Sequence, residues 1–246
     1  MSVKRLPAIR TPSTPETMFY ALGYAWVQLF DTQPKSSSLC CLLSQWALET
    51  AWGKSCWCWN IGNFKSRDGD LRNYTYYECD ERFDDPKVAQ KYIDGAGVRI
   101  DGSGLPNAAF KSVNKDGTTT VYFWPDHPVS RFRAYETLQD GAVDYVNSLF
   151  NRFYKAWPAV LKGDPVEFVH QLKVQKYFTA DEATYTKTTQ SLHKTFSKIP
   201  FDMNKLPILS DAHAEEIQGL IALTLSETVR GTYRDLDDEE ESEKNV

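Results

Sequence analysis

Apolar residues recur with a helical period at both ends of the chain and give way to a strand-like pattern in the middle. In "STPETMFYALGYAWVQLF", Met18, Leu22, Ala25, Trp26 and Leu29 fall on one helix face; Ser13 or Thr14 can cap it, Pro15 suits the first turn, and Glu16 suits the positive end of the dipole. The loop "DTQPKSSS" ends in serines that are candidate caps for a second helix, whose inner stripe is Leu39, Leu42, Leu43, Trp46, Ala47 and Thr50 and whose natural stop is Gly53. From Arg67 to Phe132 the pattern changes to a strand in "RNYTYYECDERF" and a hairpin in "AAFKSVNKDGTTTVYFW" turning at Asp116 and Gly117. Between them lie a short helix in "DDPKVAQKYIDGAGV" and a glycine-rich loop, Gly102 to Gly104.

Helices then return. Leu138, Ala142, Tyr145, Val146, Leu149 and Phe153 share one face, Asp164 and Pro165 open the next helix, and Thr179 or Asp181 caps the one after. Beyond Pro200, Ile217, Leu220, Ile221, Thr224 and Leu225 mark an amphipathic helix that runs into the acidic tail "RDLDDEEESEKNV". This order predicts an α+β fold: an N-terminal arm (1–15), a main domain (16–200) with an inserted β lobe over about 67–132, and a C-terminal helical extension with its tail (201–246).

Composition narrows the chemistry. With 41% hydrophobic and 25% charged residues the 246-residue chain reads as globular, and a net charge of -5 argues against a nucleic-acid partner. No apolar run is long enough to span a membrane. The N-terminus has basic residues but no apolar stretch after them, so no signal peptide is expected and synthesis in the cytoplasm is. Five cysteines are an odd number without a disulfide-framework spacing, and Cys56 and Cys58 are too close for a zinc knuckle; reduced thiols, no metal and no cofactor are expected.

One acidic residue stands out. Glu49 lies at the margin of the apolar face of the second helix, in its last turn and among Trp46, Trp52, Trp57 and Trp59. The negative end of the helix dipole and loss of water would both raise its pKa, as a general acid requires; the ordinary alternative is a solvated carboxylate paired with Lys54.

"SLCCLLSQWALETAWGKS" resembles the helix of peptidoglycan N-acetylglucosaminidases of the flagellar-hydrolase and autolysin type, in which an Ala-Leu-Glu-(Ser/Thr)-x-Trp-Gly-Lys-Ser run carries the acid. "NIGNFK" is similar to that family's Asn-Leu-Phe-Gly-Ile-Lys stretch, with the glycine displaced to position 62. Downstream, "FRAYETLQDGAVDY" and "KYFTADEATY" resemble its Phe-Arg-x-Tyr segment with the following Asp-Tyr helix and its closing Gly-Tyr-Ala-Thr-Asp-x-x-Tyr helix, so the likeness covers roughly Glu16 to Ile199 in matching order.

The resemblance implies a lysozyme-like fold with a cleft between helical body and lobe, and peptidoglycan glycan strands as substrate. It implies Glu49 as general acid and Glu78 as candidate base, with Asp70, Asp80 and Glu81 as competitors, while assistance by the substrate's own acetamido group, which needs no protein nucleophile, stays open. Tyr154 would hydrogen-bond the reacting sugar, and Trp57, Asn60, Asn63 and Phe64 would line the sugar subsites; packing roles for Tyr154, Trp57 and Phe64 stay open. A longer, glycine-rich lobe, the Cys56/Cys58 pair and the C-terminal extension depart from the family. With no signal peptide and no wall-binding repeat, these departures suggest carriage in a phage virion or injection particle, docked through the C-terminal helix and acidic tail. The rival readings are a lytic transglycosylase of the same fold and a non-catalytic adaptor.

Overall fold

In the computed structural model, residues 3–178 and 180–206 are described; most of the C-terminal extension and the whole acidic tail, with the docking role expected of them, lie outside the described residues. The chain is α+β. Its body is built from α1 (Pro15–Phe30), α2 (Ser36–Glu49), α4 (Leu138–Asn151), α5 (Trp157–Lys162), α6 (Pro165–Val174) and α7 (Glu182–Phe196). Its lobe holds β1 (Tyr74–Tyr76), β2 (Cys79–Phe83), α3 (Pro86–Asp94), β3 (Ala108–Val113), β4 (Thr119–Phe123) and β5 (Arg131–Arg133).

Local chemistry explains most of the boundaries. Thr14 caps α1 by accepting from Thr17 N–H, Asp164 caps α6 with Pro165 behind it, and Asp181 caps α7. The serines before α2 do not cap it: Ser36 is already helical, and Lys35 occupies the cap position with no side-chain bond. Nor does Gly53 stop α2. The helix ends at Glu49, where Trp52 N–H reaches back to Ala47 O (2.8 Å) and Ala51 takes the left-handed conformation usually left to glycine (φ 48°). Gly53 (φ 78°) serves the next turn, where a Cβ would sit 2.6 Å from Ser13 O.

The body core is continuous. Met18 and Leu22 of α1, Leu43 and Trp46 of α2, Tyr145 and Leu149 of α4, Phe168 and Leu172 of α6 and Phe196 of α7 are all buried within it. Each such side chain contributes about 1.5–3 kcal/mol on removal from water. Gly141 of α4 has no room for a side chain, since a Cβ would fall 2.1 Å from Trp59 O; its bareness lets the segment after α2 press onto α4.

The lobe's single long strand expected at 72–83 is in fact two. Tyr77 and Glu78 break it, so that β1 pairs antiparallel with β5, with Thr75 opposite Phe132, while β2 joins the sheet β2-β4-β3. The expected hairpin is β3-β4, turning at Gly117 (φ 86°). The lobe has its own small core of Ala89, Ala108, Val121 and Phe123. The N-terminal segment is a strap, not a free arm. Leu6 N–H bonds Tyr74 O (2.7 Å) and Tyr74 N–H bonds Lys4 O (3.0 Å), after which Cys58 N–H bonds Ile9 O (2.8 Å) and Thr11 N–H bonds Cys56 O (3.0 Å).

Charge joins lobe to body. Asp144 of α4 accepts from Arg72, which precedes β1, from Arg133 of β5 (2.8 Å) and from Tyr135. Asp70 accepts from the same two arginines, at 3.1 and 2.9 Å, and is held below the usual carboxylate range by Arg133 against the opposing effect of burial. Asp144→Ala would leave Arg72 and Arg133 with Asp70 alone and Tyr135 without its acceptor, and is expected to cost about 3 kcal/mol in urea unfolding. A loss below about 0.5 kcal/mol, the scale of an exposed pair, would contradict this role.

Candidate active site

A cleft of about 1550 Å³ opens between lobe and body, and Glu49, Trp57, Asn63, Phe64 and Glu78 all line it. Glu49 stands at the C-terminal end of α2, where the dipole disfavours negative charge. Its Oε1 accepts a hydrogen bond from Tyr185 Oη at 2.7 Å, leaving Oε2 for an acid proton. Among the described residues no cation pairs with it, so the solvated Lys54 partnership is not formed. Burial raises its pKa above the ordinary carboxylate value, and the Tyr185 bond partly offsets that rise.

Phenols supply most of its surroundings. Tyr77, Tyr145, Tyr177 and Tyr185 are each held well above the usual phenol range, first by burial and also by the charge of Glu49, so they remain neutral donors. Tyr145 Oη lies 2.6 Å from Gln45 Oε1, and Tyr177 Oη donates to Gly62 O (2.9 Å). Sequence reasoning assigned no site role to these tyrosines. Tyr185 was legible as an inward residue, because with Thr189, Leu192 and Phe196 it forms the buried face of α7.

The loop after α2 is bent to bring this set together. Among the described residues, Ala51, Trp52, Cys58, Trp59 and Asn63 all have positive φ, an unusual concentration of strain of the sort found at functional sites. Asn63 fixes the bend: its Nδ2 donates to Glu49 O (2.7 Å) and its Oδ1 accepts from Tyr77 Oη (3.2 Å). Trp57 packs parallel to Tyr77 (5.5 Å between centroids), with the Arg10 guanidinium over its ring at 5.0 Å. Phe64 meets Tyr145 and Tyr177 and carries the Arg133 guanidinium at 5.3 Å.

Two expected residues are elsewhere. Asn60 is fully buried and does not line the cleft; its side chain bonds both Phe64 N–H and Phe64 O (2.9 Å each), tying the loop internally. Tyr154 is 45% exposed and also absent from the lining, because α4 ends at Asn151 and the following 3-10 turn directs Phe153 inward instead.

The four candidate second carboxylates separate by their partners. Asp70 is held by Arg72 and Arg133, Glu81 by Lys65 (2.7 Å), and Asp80 by Lys111. Glu78 makes no ion pair among the described residues; it is exposed to the cleft and accepts from Tyr122 Oη. All five cysteines are free thiols.

No protein-family model and no curated protein matches the sequence. Among solved structures, the chain is similar to the catalytic domain of the autolysin Auto from Listeria monocytogenes, at 14% identity and a TM-score of 0.41, over 79% of this chain and 90% of that one.

Burial of Glu49 carries a stability cost with a defined sign. Between its unfolded and native pKa values the native state binds more protons, so stability falls as pH rises through that window and stays lower above it. Glu49→Gln, which cannot ionise, is therefore expected to gain on the wild type as pH rises from the ordinary carboxylate range and to hold a constant advantage above the native pKa. Urea midpoints across a pH series measure this, and a pH-independent difference would refute it.

Proposed function

We propose that the chain is a peptidoglycan hydrolase of the endo-β-N-acetylglucosaminidase kind, with Glu49 as general acid. The observation that carries the reading is the desolvated Glu49 carboxyl, hydrogen-bonded by Tyr185 and unpaired with any cation among the described residues, on the wall of a long open cleft. A carboxyl of raised pKa is protonated where an ordinary one is not, which is what departure of a glycosidic oxygen needs. The sequence likeness at Ala47 to Ser55 supports the same role.

In this mechanism Glu49 protonates the leaving sugar oxygen, and Tyr185 then stabilises the carboxylate produced. Glu78 takes a proton from the water that attacks the anomeric carbon, a role favoured by its freedom from ion pairs among the described residues while its three rivals are engaged. A lytic transglycosylase would need no such base, and its product would carry a 1,6-anhydro end.

Mass spectrometry of fragments released from purified sacculi tests the reading. Wild-type protein is expected to yield fragments with reducing N-acetylglucosamine ends, and Glu49→Gln to lower the rate by about a thousandfold or more. Anhydro ends, or full activity in Glu49→Gln, would overturn it. Tyr185→Phe removes the bond that lowers the Glu49 pKa, so Glu49 stays protonated to higher pH. The alkaline limb of the activity profile is expected to shift upward, and a shift downward or none at all would contradict the assigned contact.

A further inference from the structure

The cleft has a charge pattern that acid catalysis does not use. Seven basic and five acidic residues line it, in a chain whose net charge is -5. Three of the seven basic groups are held in ion pairs: Arg72 and Arg133 share Asp70 and Asp144, and Lys65 holds Glu81. Arg67 and Arg152 also line the cleft, and neither makes an ion pair among the described residues.

They approach from opposite walls. Arg67 belongs to the turn that enters the lobe, where Asp70 N–H bonds Arg67 O (3.1 Å). Arg152 ends α4 on the body side, with its guanidinium over Phe153 at 5.1 Å; Phe153 in turn meets Tyr177 edge-on at 4.8 Å. Burial, then the positive charges of Arg67 and Arg133, pull Arg152 below the usual arginine range. Asp70 acts on Arg152 in the opposite sense but is itself held by Arg72 and Arg133, so an anion bound between the two walls would find positive charge still uncompensated.

We propose that Arg67 and Arg152 form an anion subsite at the Tyr177 end of the cleft, which binds a carboxylate carried by the wall glycan. The subsite makes the protein prefer carboxylate-bearing strands over a neutral chain of N-acetylglucosamine. Guanidinium groups suit this task because they pair with carboxylates in a bidentate fashion. The inference rests on the glycan-hydrolase reading above, but it is measured by binding alone, so that the two can fail separately.

The test titrates three probes into Glu49→Gln protein: soluble glycan fragments with stem peptides, the same fragments after an amidase has freed the lactyl carboxylate, and a neutral chito-oligosaccharide of equal length. Adding Arg67→Gln and Arg152→Gln is expected to weaken a carboxylated probe about tenfold and leave the neutral one unchanged. Weakening confined to the first probe assigns the stem-peptide carboxylate, and weakening of the second assigns the lactyl group. Equal loss for the neutral probe, or no loss for either carboxylated one, overturns the subsite. Should the double substitution prevent folding, salt titration of the Glu49→Gln protein replaces it: added salt must weaken carboxylated probes alone, and equal sensitivity of the neutral probe refutes the proposal. If the subsite is found but the wild type releases no glycan fragment, the anion subsite stands and the hydrolase reading falls.

Discussion

Asp144 binds together parts of the chain that the hydrophobic effect leaves apart. The large apolar core belongs to the body, and the lobe's own core of four buried residues is too small to set the lobe's angle against it. Directional contacts do that instead: one carboxylate on α4 receives Arg72, Arg133 and Tyr135. Burying such charges adds little net stability, because desolvation offsets most of the attraction. What it supplies is geometry, and the width of the cleft is the geometry at issue. Arg133 extends that control to the floor, since its guanidinium also lies over Phe64.

The same network neutralises basic groups that share the cleft lining with Glu49. Arg72 and Arg133 line the cleft, and an unneutralised guanidinium near Glu49 would favour its charged form and lower its pKa. Asp70 and Asp144 absorb those charges. Glu49 is left to burial, the helix dipole and a set of neutral phenols, and burial outweighs the one hydrogen bond that acts in the opposite sense.

How much of this was legible in the sequence depends on the range of the interaction. The helices α1, α2, α4, α6 and α7, the cap Asp164 and the turn at Gly117 follow from neighbours within a few residues, and the sequence showed them; it left Thr14 and Asp181 each as one of two candidate caps and did not show the short α5. Glu49 stood out for the same reason, being defined by its own helix. The end of α2 was misread because Ala51 accepts a conformation that glycine would take more cheaply, and tertiary contacts hold it there. Tyr77 and Glu78 break the lobe's strand because its halves find partners in different sheets, which no local pattern announces. Asn60 and Tyr154 were placed by analogy of type; the direction of each side chain is set by a turn whose geometry composition does not encode.

The Cys-Trp-Cys run at 56–58 shows how a feature with no chemistry of its own can shape a site. Cys56 and Cys58 are buried and Trp57 between them reaches the cleft, at a single bridge to a partner segment just before Cys58 turns into the left-handed conformation. That partner is the N-terminal strap, bridged at Arg10 and Trp57. Thr11 Oγ1 lies 3.6 Å from Cys56 Sγ, and Cys58 Sγ lies 3.2 Å from Pro7 O. Small, weakly polar side chains let the strap lie flush, where a larger residue would lift it. The strap then delivers Ala8 and Arg10 to the cleft wall. A segment with no apolar period of its own therefore gains its place from backbone pairing and from the smallness of the residues beneath it.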